Sequence, residues 1–238
     1  MESSGYVTLT RQTGLMKELQ AVANNLANIS TTGFRKEGVI FAEHIERLGN
    51  GEASLSMATA SVRNTDSRQG PLTQTGGTFD FAIEGEGFFL IDTPSGERLT
   101  RAGVFTPNAE GELVTMSGYQ VLDNGGAPIF IPPDAEAISL AADGTMSADG
   151  LPIAQIGLYQ PVDPTGLTRE DGVRFASEAG VEPIEGASIL QGFVEDSNVD
   201  PVSEIARMIE VQRSYELGQT FLDKEDERIR SVLQTLGR

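Results

Sequence analysis

Apolar positions recur every three or four residues at both ends of the chain and alternate in short runs between them. Near the start, Leu15, Leu19, Val22, Leu26 and Ile29 follow 4-3-4-3 spacing, which marks one face of an α-helix. Leu9, Gln12, Met16, Leu19, Ala23 and Leu26 form a second seam sharing Leu19 and Leu26 with the first. The two seams predict a helix over about 6–31, with an apolar face wide enough for more than one partner helix. Gly33, after Ser30, Thr31 and Thr32, is a plausible stop.

At the other end, Ile205, Met208, Gln212, Tyr215, Gln219, Leu222, Asp226, Ile229, Leu233 and Leu236 keep unbroken 3-4 spacing. That is heptad periodicity, and it predicts a long helix. Asn198 or Asp200 can cap it, and Pro201 suits its first turn. Gln212, Gln219 and Asp226 are polar seam members, which cost stability but can set register. An ordinary amphipathic helix on its own domain is one reading. The length and strict spacing favour a coiled-coil partner, and the N-terminal helix offers one.

Between the ends lie short apolar runs bounded by Gly, Pro, Asn or Asp: 79–85, 87–93, 97–105, 111–122 and 127–133, with further strands in 137–161. Asp123-Asn124-Gly125-Gly126 and Pro94-Ser95-Gly96 read as turns. This spacing suits an all-β sandwich or barrel-like domain, not βαβ units. The stretch 34–48 fits a strand or a helix, and 49–70 is polar and weakly patterned. The expected class is therefore α+β. Residues 1–33 and 198–238 would form a coiled-coil-like helical domain, 34–74 an extended connector and 75–197 a central β domain.

Charge follows the same partition. The chain has 238 residues and a formal net charge of −18. Residues 1–48 balance five basic against five acidic residues, and 198–238 carry six against eight. The middle carries six against 22, with 21 of the 27 Gly and 10 of the 11 Pro. Strong acidity excludes a nucleic-acid footprint. The absence of Cys removes disulfides, thiol catalysis and Cys-ligated metal. His44 is the one histidine, which leaves no His-rich zinc site. No apolar run approaches the ~18 residues of a membrane helix. The start has no basic segment followed by an apolar one, so no cleavable secretory signal is expected.

Enzyme signatures fall short. Gly85-Glu86-Gly87 lacks the third glycine and the helix of a dinucleotide loop, and a turn explains it better. Asp143-Gly144 and Asp149-Gly150 offer too few oxygen ligands for a calcium loop. Glu84 and Glu86 alternate at a turn, where carboxylates are usually solvated. Arg98 and Arg101 are most simply paired with nearby carboxylates. No catalytic, cofactor-binding or metal residue is assigned, and no cofactor is expected.

The strongest signal is a pair of terminal motifs. Residues 24–34 read NNLANISTTGF and 196–216 read DSNVDPVSEIARMIEVQRSYE. They resemble the N- and C-terminal signatures of the bacterial flagellar rod and hook proteins. The stretch 75–105 resembles the opening of that family's β domain. The opening and ending of the chain are most similar to the proximal-rod branch, with the distal-rod branch as the alternative. The resemblance implies a structural subunit whose terminal helices polymerise around an axial channel, with the β domain outside. It implies copies of the chain itself, other rod proteins and the type III export apparatus as partners, with no nucleic acid and no membrane insertion. It also implies a place in the periplasmic part of the basal body, reached without a cleaved signal. The assembly residues would be Leu15, Leu19, Val22, Asn24, Asn25, Leu26, Asn28, Ile29, Gly33 and Phe34. From the C-terminal motif and helix come Ser197, Asn198, Val199, Ile205, Met208, Ile209, Gln212, Arg213, Tyr215, Leu222, Ile229 and Leu233.

A secreted β module recognising a surface ligand, with oligomerising helices, is the reading from another class. The absence of Trp and the count of only four Tyr argue against a sugar platform.

Overall fold

The computed structural model describes residues 2–46, 55–184 and 186–236. Two helices enclose a central run of strands, so the class is α+β. The chain divides into two compact units. The first comprises residues 1–27, 36–66 and 199–238, and the second 28–35 and 67–198.

The first unit holds α1 (Glu2–Ala27), β1 (Glu37–Glu46), β2 (Leu55–Thr65) and α2 (Pro201–Leu236). Asp200 caps α2, its carboxylate accepting from the Val202 and Ser203 amides. These bonds, led by that of the Ser203 hydroxyl, hold its carboxyl below the usual range. α1 packs against both α2 and the β1–β2 ribbon. That ribbon occupies most of the expected connector. It is an antiparallel pair with a bulge at Ile40/Phe41. The run Val39-Ile40-Phe41 is β-branched and aromatic, which suits a strand, while the polar residues around it leave no clear period in the sequence. The side chain of His44 lies outside the described residues.

The second unit is β throughout. Its strands are β3 (Leu72–Gln74), β4 (Phe81–Glu84), β5 (Phe88–Thr93), β6 (Gly96–Thr100), β7 (Phe105–Pro107), β8 (Leu113–Thr115) and β9 (Gln120–Val121). There follow β10 (Ile138–Leu140), β11 (Thr145–Ala148), β12 (Leu151–Gln155), β13 (Leu158–Pro161), β14 (Leu167–Asp171), β15 (Arg174–Ser177), β16 (Val181–Pro183), β17 (Ser188–Gln191) and β18 (Phe193–Glu195). The main sheet runs β14-β15-β6-β5-β9-β8-β7, with β13 joining β5 to β16. β17 returns to β4 and β18 to β3, so the end of the unit closes on its beginning.

β5 explains the core. Its side chains alternate between faces, as a strand's must. Phe89 and Ile91 enter one cluster with Phe81, Ile83, Phe105 and Leu113. Leu90 enters a second with Leu99, Leu122, Tyr159 and Phe175. Burial on both faces is why this run reads as continuously apolar in sequence. Phe105 meets Phe89 edge-on at 5.3 Å, an arrangement the ring quadrupoles favour.

Candidate assembly surface

In the first unit the two helices run antiparallel. Gln12 Nε2 donates to the Tyr215 carbonyl at 2.9 Å, and Arg207 Nε to Glu18 at 2.7 Å. Asn25 Nδ2 donates to Glu204 at 2.9 Å. The face of α2 turned inward is Glu204, Met208, Val211, Tyr215, Gly218, Leu222 and Glu225, all buried or half-buried. That is 4-3 heptad spacing, but it differs from the expected seam at alternate positions. Met208, Tyr215 and Leu222 belong to both. Ile205, Gln212, Gln219 and Asp226 are exposed, and their places are taken by Glu204, Val211, Gly218 and Glu225.

The shift has a physical cause in α1. Gln12 is buried, and a methyl group on Gly218 would stand 2.1 Å from its Nε2. A glycine therefore faces a buried amide. Gln212, Gln219 and Asp226 lie off this seam, while the buried Gln12 of α1 donates to one carbonyl of α2.

Asn25 is wholly buried and pairs with Glu37 as a strand neighbour would. Its Nδ2 donates to the Glu37 carbonyl and its Oδ1 accepts the Glu37 amide, each at 2.8 Å. Glu204 is buried beside it and takes Lys36 Nζ at 2.5 Å. One amide thus ties α1 to both α2 and the ribbon, and each buried polar atom gains a partner. Asn24 donates to the Glu37 carboxylate at 3.3 Å. Leu15, Val22 and Val199 are buried, and Leu19 and Leu26 half-buried.

Among the described residues of this unit, the exposed apolar positions include three stripes. Leu9, Met16 and Ala23 lie seven residues apart on α1, all exposed. Val202, Ile205 and Ile209 form a second stripe on the outer face of α2, 74%, 48% and 44% exposed. The third lies near the end of α2, where Ile229 and Val232 are exposed. α2 has 36 residues against 26 in α1, so antiparallel pairing leaves about ten of them beyond the start of α1. Arg213 is exposed, and the Leu233 and Leu236 side chains lie outside the described residues.

The remaining motif residues belong to the β unit. Asn28 opens a turn closed by the Thr31 amide, Ile29 is half-buried and Gly33 has φ +70°. The Gly33 amide donates to the Glu195 carbonyl at 2.7 Å, and a Cβ there would lie 2.3 Å from Ala102 N. Phe34 is wholly buried. Arg169 stands 4.6 Å from its ring and 4.6 Å from that of Phe175, a guanidinium stacked between two aromatic faces. Arg35 Nη2 lies 2.8 Å from Glu195 Oε1, and Arg101 Nη1 lies 3.1 Å from Oε2. Burial pushes the Arg101 guanidinium down to about 10; Glu195 holds it up, while Arg35 adds to the depression. Ser197 is buried, and Asn198 donates to the Arg68 carbonyl at 2.8 Å. Arg169 and Glu195 carry no signal in the sequence, and the carboxylates that Arg98 and Arg101 pair with, Glu170 and Glu195, are not local as expected but 72 and 94 residues away.

Gly33→Ala is expected to release this segment, since both the backbone angle and the close approach exclude a methyl group. Trypsin should then cut after Arg35 roughly tenfold faster or more than in the parent, read by mass spectrometry. Equal rates would mean that the backbone shifts to accept the methyl.

Comparison with known families matches three parts of the chain. Residues 6–35 match "Flagella basal body rod protein" and 190–235 match "Flagellar basal body rod FlgEFG protein C-terminal". Residues 82–148 match "Flagellar hook protein FlgE/F/G D1 domain". The chain is 40% identical to the flagellar basal-body rod protein FlgF of Caulobacter vibrioides, over 100% of its own length and 99% of the relative's. It is 39% identical to FlgF of Mesorhizobium japonicum over the same shares. Similarity to FlgG of Bacillus subtilis is 33%, over 98% of each chain.

Proposed function

Since the chain belongs to the flagellar basal-body rod protein family, as a structural subunit and not an enzyme, we propose that its helical unit is the part that polymerises. The observation that carries this reading is the set of uncovered apolar stripes. α1 and α2 already pair with each other through a 4-3 seam, which supports a coiled-coil-like domain. Leu9, Met16, Val202, Ile205 and Ile209 remain exposed after that pairing. Exposed apolar surface arranged in continuous stripes calls for further partners. Copies of the chain and related rod subunits supply them in this reading. The order FlgF before FlgG among similar proteins favours the proximal-rod branch. Transit through the flagellar type III export apparatus and a periplasmic place in the basal body belong to the same proposal. Among the described residues no helix is long and apolar enough to cross a membrane.

The test separates assembly from folding. Ile209→Asp places a charge on the outer stripe, where the free subunit leaves it in water. Its unfolding free energy should stay within about 0.5 kcal/mol of the parent. Incorporation into sedimentable basal bodies, and swimming of cells carrying only this variant, should fall sharply. Normal incorporation of both Ile209→Asp and Leu9→Asp would remove the stripes from the interface.

A further inference from the structure

The chain holds no Cys and no Trp, so methionine is the side chain that mild oxidants attack first. Six methionines are present. Met116 stands 76% exposed in the turn between β8 and β9. Met146 of β11 is wholly buried among the core side chains of the β unit. Met208 is half-buried in the inward seam of α2. Met16 is 39% exposed on α1. The side chains of Met1 and Met57 lie outside the described residues.

The helix itself keeps Met16 open. Side chains three and four residues away are those that can cover a helical neighbour. Around Met16 these are Gln12, Thr13, Leu19 and Gln20. Gln12 is buried and donates to the Tyr215 carbonyl, which commits it to α2. The Thr13 hydroxyl donates back to the Leu9 carbonyl at 3.0 Å. Leu19 is half-buried and Gln20 exposed. Met16 is therefore reached from solvent in the free subunit. It is also the middle member of the exposed stripe of Leu9, Met16 and Ala23.

We propose that Met16 is an oxidative modification site whose sulfoxide excludes the free subunit from assembly. The oxidant is a peroxide. A lone pair of the Met16 Sδ forms the new S–O bond as the peroxide O–O bond breaks. The sulfur is oxidised by two electrons, and hydrogen peroxide is reduced to water. The product carries a polar, strongly accepting oxygen in the middle of an apolar stripe. A neighbour's apolar side chains offer that oxygen no donor, so covering it is unfavourable. The same oxidation at Met116 leaves the stripes unchanged, and the core shields Met146. Assembly covers Met16 in turn, so the site is open only before incorporation. The inference rests on the reading of the exposed stripes as contact surface, and its test separates the two.

Hydrogen peroxide is applied to the full-length free chain and to isolated basal bodies, and sulfoxide at each methionine is followed by peptide mass spectrometry. In the free chain Met16 should oxidise at least about tenfold faster than Met146. In basal bodies the Met16 rate should fall at least about tenfold below its free value. Cells producing the parent and Met16→Gln in equal amounts test the consequence, the amide standing in for the polar sulfoxide. Their basal bodies should contain the parent in at least about fivefold excess. Met116→Gln, the same change at an exposed turn, should incorporate like the parent. The thermal midpoint of free Met16→Gln should match the parent's, so that lost incorporation is not lost folding. A lowered midpoint, or oxidation of Met16 as slow as that of Met146, would mean that Met16 is already packed in the free subunit, and would overturn the site. Unchanged oxidation of Met16 in basal bodies would overturn its closure on assembly. Normal entry of Met16→Gln while Ile209→Asp and Leu9→Asp are excluded would sink the oxidation proposal alone. Normal entry of all three would sink the reading of the stripes with it.

Discussion

Glu195→Ala is expected to cost the β unit about 3–5 kcal/mol, because two buried guanidiniums then share no carboxylate. Glu195 is 1% exposed and pairs with Arg35 and Arg101, neither of which can shed its charge near neutral pH. The Gly70 amide loses its acceptor as well. The urea midpoint of the unit should move down by about 1–3 M, taking an ordinary denaturant slope for a small domain. Glu195→Gln keeps an acceptor oxygen but no charge, and should fall between parent and alanine variant. An alanine variant within about 0.5 kcal/mol of the parent would mean that both guanidiniums reach water at little cost.

Val211→Asp is expected to open the helical unit, while Gln212→Asp, one residue on, leaves it intact. Val211 is 2% exposed in the inward seam, and Gln212 is exposed. A carboxylate at 211 would be buried with no cation assigned to it, at a cost of several kcal/mol. At 212 the change should stay within about 0.5 kcal/mol. Loss of helical circular dichroism and increased proteolysis of residues 2–27 and 201–236 in Val211→Asp would report the opening. The opposite ranking of the two variants would return the seam to Ile205, Gln212, Gln219 and Asp226.

That choice of seam shows where linear pattern stops. Heptad spacing at the C-terminus predicts the helix and three members of its inner face: Met208, Tyr215 and Leu222. The alternate members are decided by what α1 presents. Gln12 needs the space beside Gly218, and Asn25 needs the carboxylate of Glu204. Apolarity does not decide between the two sets: polar Gln212, Gln219 and Asp226 stand in one, and Glu204, Gly218 and Glu225 beside apolar Val211 in the other. Asn25 and Phe34 stood out in the motif, and both are wholly buried. Their partners Glu37, Arg169 and Glu195 were not legible, because each meeting depends on the folded path of the chain.

The β region divides in the same way. Runs between 79 and 161 are apolar and separated by turn residues, and strands form within them except in 127–133, where Pro128 and Phe130 make only isolated bridges because the prolines at 128, 132 and 133 withhold ladder donors. The strands from 167 to 195 carry more polar residues. β17 and β18 are stabilised by pairing with β4 and β3, more than a hundred residues earlier in the chain. Nothing local marks such strands. The ribbon of β1 and β2 is a third case: much of its support comes from α1, which lies against both strands.

The uncovered stripes of the helical unit are unlike one another. Leu9, Met16 and Ala23 repeat every seven residues on one helix, while Val202, Ile205 and Ile209 are spaced three and four apart on the other. A neighbour that met one stripe with the other would make a head-to-tail contact, with different patches on the two copies. Such contacts need not close, and each added copy hides one stripe and offers a fresh one. In the proposed assembly growth would have a direction, and these two stripes would set no number of copies. The length of any array built this way is set outside the subunit, by its supply or by whatever caps its ends.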